Sequence, residues 1–246
     1  MKKLVLFDID GTLIKSNRVG TKSMMRTIEE FLGTSEPFKK VNMSGKCDWG
    51  IWRDALALEG YSHDEVDAHL PDLWRSYTAH LADVLASDEY ADPEALPGVR
   101  PLLEALYARD EVLLGLLTGN IEPAAWLKLG KVGLDHYFQF GAFGDQSAER
   151  SGLPPIAVER AAHFANGHRF RGKDIMIIGD TANDIYCGEA LGVCAVGVAT
   201  GDTDADTLRA AGADHVFESF ADYEAVLAEL GFDSRKDAKK QRRKEV

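Results

Sequence analysis

Two acids, Asp8 and Asp10, lie two residues apart at the end of an apolar run, in LFDIDGT. In a parallel sheet, ligands gather at the carboxyl ends of the strands. Alternation along a strand puts residues i and i+2 on one face, so both carboxylates point the same way. Two carboxylates this close resist joint ionisation unless a cation or a shared proton intervenes. Hard oxygen donors suit a divalent ion such as Mg2+. Gly11 allows the backbone to turn sharply after them. Alone, however, Asp-Gly is also an ordinary turn signal.

Two further clusters follow the same plan. Thr118-Gly119-Asn120 closes the run VLLGLL and precedes IEPAAWLKL. Asn120 is placed to cap a helix there, and Pro123 fits its first turn. A hydroxyl beside the free N–H groups of a helix start makes an anion site. The third cluster is IIGDTANDI, with Asp180 at the end of the run DIMII and Asp184 one helical turn on. Asp8, Asp10, Asp180 and Asp184 would then converge, a charge density that calls for a metal. Simple capping and helix-dipole complementarity are the competing explanations for the second and third clusters.

Together, and in this order, the clusters resemble the motifs of the haloacid dehalogenase-like superfamily. Its first motif matches Asp8-Ile9-Asp10-Gly11-Thr12, its second Thr118, and its fourth Gly179-Asp180 through Asp184. Within that superfamily the chain is most similar to the phosphoglycolate-phosphatase-like branch. The resemblance implies a Mg2+-dependent phosphomonoester hydrolase that works through an aspartyl-phosphate. Asp8 would be the nucleophile and Asp10 the general acid and base. Mg2+ would be held by the Asp8 carboxylate, the Asp10 backbone carbonyl and Asp180, with Asp184 orienting a metal-bound water. Thr118 and one cation would hold the phosphoryl oxygens, beside Gly11, Thr12, Gly119 and Asn120. The KPxP sequence that often carries this cation is absent. Arg150, in SAERSGLPP, occupies the corresponding place, and Lys128 offers another approach. Lys46, in Ser44-Gly45-Lys46-Cys47-Asp48, is placed to read the leaving group, with Asp48 as the N-cap of the next helix.

The elements needed to position these groups are legible as short apolar runs at 3–7, 112–117, 138–143, 174–178, 193–198 and 214–217. Helical patterns separate the later ones, at about 98–109, 122–132, 153–166, 183–191 and 204–211. Such alternation predicts an α/β fold, a Rossmann-like parallel sheet flanked by helices. Residues 16–92 break the rhythm, with amphipathic helical patterns at 20–32, 48–58 and 63–86 and Pro71 near a turn. They are expected to form an inserted all-helical cap on a core of residues 1–15 and 93–231, joined by a linker at Pro93–Pro97. Residues 232–246 form a basic tail.

Composition limits the remaining possibilities. The chain has 246 residues, 45% hydrophobic and 28% charged, enough apolar material for a sizeable core. Its net charge is −12, although residues from Asp233 onward carry seven basic side chains against three acidic ones. An acidic body repels nucleic-acid backbones, so no nucleic-acid partner is expected. Three cysteines without a CxxC pair suit a reducing compartment. The first apolar run is too short for a signal peptide or membrane span, and a cytoplasmic protein with no membrane partner is expected. The expected partner is a small phosphorylated metabolite, and the oligomeric state is open. A phosphosugar mutase of the same superfamily, a haloacid dehalogenase, a phosphonatase using Lys46, and a non-catalytic binding protein are the competing readings.

Overall fold

A computed structural model describes residues 2–232. The basic segment 233–246 lies outside the described residues. Six strands form one all-parallel sheet: β1 (Lys3–Phe7), β4 (Val112–Leu117), β5 (Gly141–Ala142), β6 (Ile175–Gly179), β7 (Cys194–Val198) and β8 (His215–Phe217). Their spatial order is β5-β4-β1-β6-β7-β8, so β1 sits centrally between β4 and β6. Period-two alternation divides β1 between two apolar layers. Val5 and Phe7 join Leu114, Leu116, Met176 and Ile178 on one face. Leu4 and Leu6 join Leu117, Ile175 and Ile177 on the other.

Helices α5 (Val99–Tyr107), α6 (Glu122–Val132), α7 (Leu153–Phe164), α8 (Ala182–Cys187), α9 (Ala205–Ala210) and α10 (Tyr223–Glu229) accompany the sheet. The run 138–143 forms far less strand than its apolar content predicts. Only Gly141 and Ala142 pair with β4, because the preceding residues Asp135–Tyr137 make a 3-10 turn. The pattern at 183–191 also divides, into α8 and a 3-10 turn at Glu189–Leu191.

Between β1 and β4 lie α1 (Val19–Leu32), α2 (Glu36–Lys40), α3 (Asp48–Ala57) and α4 (His63–Ala86). They bury an apolar cluster of their own, with Ile28, Trp52, Leu70, Leu73, Tyr77 and Leu81 at its centre. Ile121 and Ala124, at the start of α6, pack into the same cluster. The helical region therefore shares buried surface with the sheet's own helices. Two short antiparallel strands, β2 (Ile14–Lys15) and β3 (Glu94–Ala95), tie its two ends together.

Pro71 lies inside α4 and not at a turn. Proline removes one helical N–H. A capping box at Ser62 and Glu65 and the buried Val66, Leu70 and Leu73 hold the surrounding turns.

Gly98, the N-cap of α5, has φ 79°, a left-handed conformation that suits glycine. A Cβ there would overlap the Phe220 carbonyl oxygen. Gly98→Ala is therefore expected to lower unfolding free energy by at least about 2 kcal/mol in urea titration. An unchanged midpoint would show that this junction yields easily.

Candidate active site

The carboxyl ends of β1, β4, β6 and β7 surround a cavity of about 1160 Å3. The helical region closes it from the other side with Gly20, Met24, Phe38, Met43 and Tyr77. Asp8 follows β1 directly, and its N–H donates to the Ile178 carbonyl at 2.9 Å, which fixes it at the sheet edge. Gly11 has φ 79°, and a Cβ there would overlap the Asp180 carboxylate. A Cβ on Gly201 would do the same from the end of β7. Two glycines thus let main chain close around Asp180.

Asp8, Asp180 and Asp184 are buried and bring one carboxylate oxygen each within 4.8 Å of one another. The Asp10 carboxylate stands outside this group. The convergence of four acids is thus corrected to three. Asp10 instead receives the Lys128 ammonium at 3.0 and 2.8 Å and the Asn120 amide at 2.7 Å. Lys128 also donates to Asn120 Oδ1 at 2.6 Å. Arg150, buried at 7% exposure, reaches Asp8 Oδ1 at 3.0 Å, the Asp184 carboxylate and the Leu117 carbonyl at 3.1 Å. The two candidate cations therefore serve different acids: Arg150 meets Asp8, and Lys128 meets Asp10.

The electrostatics follow from burial and these partners. Burial pushes the Asp8 carboxyl up to about 6, with Arg150 opposing the rise and Asp184 and Asp10 adding to it. Burial, then Asp184 and Asp8, push Asp180 well above the ordinary carboxylate range. Burial also acts to raise Asp10, but the Lys128 ammonium and the hydrogen bonds outweigh it and hold this carboxyl low. One site thus separates its acids into a strained group and a comfortably ionised one.

Other expected residues sit as follows. Thr118 is fully buried, and its hydroxyl accepts from the Asn120 N–H at 3.3 Å and side-chain amide at 2.8 Å. Thr12 is also fully buried and donates to Asp180 Oδ1 at 3.2 Å, so its hydroxyl faces a carboxylate and not the cavity. Gly119, Asn120 and Lys46 line the cavity, but the Lys46 ammonium pairs with Asp54 at 2.6 Å. Asn120 does not cap α6. Ile121 is the N-cap, because the Asn120 side chain turns to Asp10 and Lys128. Asp48 likewise lies inside α3, with Cys47 as the N-cap, and its side chain turns toward the sheet domain.

Thr200 and Thr181 escape a reading by motif, whereas Asp184 and Lys128 are candidates whose partners no motif shows. Thr200 donates to the Gly11 carbonyl at 2.6 Å. Thr181 and Asp184 form a capping box, so Asp184 both caps α8 and faces Arg150. Lys128 left one usable signal. It occupies the helix face of Ala124, Ala125, Leu129 and Val132, where a charged residue needs a buried partner.

Comparisons with known proteins give the family and the fold. Residues 2–192 match the family model for haloacid dehalogenase-like hydrolases. The chain belongs to that family, and it is an enzyme. It is 29% identical to a phosphoglycolate phosphatase of Chromobacterium violaceum, over 89% of this chain and 94% of the relative. It is 26% identical to the pyrophosphatase PpaX of Listeria monocytogenes serotype 4a, over 91% and 95%. Among solved structures, CbbY from Rhodobacter sphaeroides, in complex with phosphate, aligns with TM-score 0.66 at 17% identity, covering 90% of this chain and 96% of that one. A hydrolase from Pseudomonas syringae aligns with TM-score 0.64 at 20% identity, covering 93% and 99%. At these identities the structures speak for the fold.

The raised Asp180 carboxyl carries a sign that can be tested. A carboxyl with a higher pKa in the folded than in the unfolded chain carries no penalty below its unfolded value, where both states hold the proton. Stability is then lost as pH rises through the folded value. Metal-free Asp180→Asn is therefore expected to melt above wild type at neutral pH, by at least ~2 °C. The gain should shrink as pH falls toward the ordinary carboxylate range. A variant that melts below wild type at neutral pH would contradict buried like-charge repulsion.

Proposed function

We propose that the protein hydrolyses phosphate esters or anhydrides of small metabolites, with Asp8 as the nucleophile. The observation that carries this reading is the Asp8–Arg150 contact at 3.0 Å on the floor of the cavity. A carboxylate oxygen with a guanidinium beside it can attack phosphorus while the cation balances the incoming charge. The phosphoglycolate and pyrophosphate activities named for the relatives support a small, strongly anionic substrate.

In the first step Asp8 forms the P–O bond and the bond to the leaving oxygen breaks. Asp10, two residues along the chain and also lining the cavity, supplies the proton to that oxygen. In the second step water attacks phosphorus, Asp10 removes the water's proton, the Asp8 oxygen–phosphorus bond breaks, and inorganic phosphate leaves with Asp8 regenerated as a carboxylate. Lys128 holds Asp10 ionised in the resting enzyme, so the proton that it delivers is taken up from the substrate's phosphate or from solvent, and the one that it removes from water returns to solvent. The neighbouring Lys128 ammonium disfavours the protonated carboxyl, so the proton is readily passed on. Thr118 and Arg150 hold phosphoryl oxygens, and positioning of this kind accounts for most of the rate in phosphoryl transfer.

The donor set fits Mg2+. Of the three buried carboxylates Arg150 pairs with two, Asp8 and Asp184, and glycines 11 and 201 leave main chain near Asp180. Asp8 and Asp180, with Asp184 beside them, would hold the ion, which when bound would neutralise phosphate charge.

Release of inorganic phosphate from p-nitrophenyl phosphate, with and without Mg2+, tests the reading. Asp8→Asn should abolish release. Arg150→Ala should lower kcat/KM by at least ~10²-fold. Full turnover in Asp8→Asn would overturn the covalent route. Isomerisation of a sugar monophosphate without phosphate release would replace the hydrolase by a mutase.

A further inference from the structure

Beside Thr118, three main-chain segments meet with almost no side chain between them. The Asp48 N–H donates to the Gly119 carbonyl at 2.7 Å, the Trp49 N–H to the Gly144 carbonyl at 3.2 Å, and the Gly144 N–H to the Asn120 carbonyl at 2.7 Å. A Cβ on Gly119 would overlap the Lys46 carbonyl oxygen, and one on Gly144 would overlap the Gly119 carbonyl oxygen. The start of α3 is thus seated directly on the loop that leads into α6.

The Asp48 side chain then crosses from the helical region to the sheet domain. It is 5% exposed, and its Oδ2 accepts the Ile121 N–H at 2.9 Å. The first N–H groups of a helix lack partners within the helix. Ile121, the N-cap of α6, has no side-chain capping bond of its own. The N-cap N–H of a helix is normally met by an N3 Glu or Gln side chain, and N3 of α6 is Ala124, so Asp48 supplies that acceptor from another part of the chain. Burial pushes its carboxyl up to about 7, with Lys128 and the Ile121 N–H opposing the rise; in the ionised form its charge faces the positive end of the α6 dipole. Lys128, Asp10, Asp145 and the Tyr77 hydroxyl are the other polar groups around it. The start of α6 leads back at once to Asn120, whose amide bonds both Asp10 and the Thr118 hydroxyl.

We propose that Asp48 is a positioning residue for the reaction. By capping α6 from the helical region, it ties the geometry of Thr118, Asn120 and Asp10 to the seating of that region over the cavity. This rests on the phosphatase reading above. A loop carrying catalytic groups that is misplaced by a fraction of an ångström loses rate without losing the fold.

Asp48→Leu keeps the branched shape but removes the acceptor, and Asp48→Ala serves if leucine does not fit. Asp48→Asn keeps an acceptor oxygen. Exchange of the Ile121 amide, followed by NMR, should accelerate at least ~10-fold in the leucine variant. Its kcat on p-nitrophenyl phosphate should fall about 10-fold or more, with KM little changed. The asparagine variant should recover most of both. The proposal is overturned by unchanged Ile121 exchange, by faster exchange with unchanged kcat, or by an asparagine variant as impaired as leucine. A wild-type protein that releases no phosphate would instead refute the phosphatase reading, while amide exchange would still report on the contact.

Discussion

Buried negative charge at the carboxyl edge of the sheet is the constraint on which this structure turns. Asp8, Asp180 and Asp184 lie close together with little water around them, and Arg150 alone among the described residues bridges two of them. Buried charges of one sign persist only where a cation, a proton or a bound group balances them. The chain answers by separating its acids. Asp10 is drawn away by Lys128, while the remaining three form a donor set. Environments that push acids apart in this way fit them for different roles.

The separation depends on parts of the fold far from one another in sequence. Arg150 arrives on the 3-10 turn before α7, and Lys128 on the second turn of α6. Both are buried, so neither can swing into the other's role without repacking its neighbours. Glycines at 11 and 201 keep the main chain close to Asp180, and glycines at 119 and 144 allow the helical region to sit against the sheet domain. Small residues set the distances at this edge, and charged ones fill the spaces left.

The helical region is more than a lid attached by two linkers. Its apolar cluster includes Ile121 and Ala124 from α6, and its α3 hydrogen-bonds to the Thr118 loop. The helical region and the sheet's own helices are thereby joined in one contact surface. Met24, Phe38 and Met43 line the cavity from the helical side.

Much of this was determined by sequence alone. Six apolar runs at the right spacing required a parallel sheet, since short strands buried on both faces leave strong local signals. Asp8, Thr118 and Asp180 were legible because each follows such a run, where the sheet's geometry delivers a side chain to one edge. The shortened strand β5 and the continuation of α4 through Pro71 were not legible, because packing overrode the local pattern in each. Nor could sequence assign the partners of Arg150 and Lys128, turn Asn120 from helix cap to Asp10 ligand, or send Asp48 across to Ile121. Those outcomes depend on which buried charges face one another once the helices have packed. A charged side chain 100 residues away is invisible to periodicity and decisive at about 3 Å.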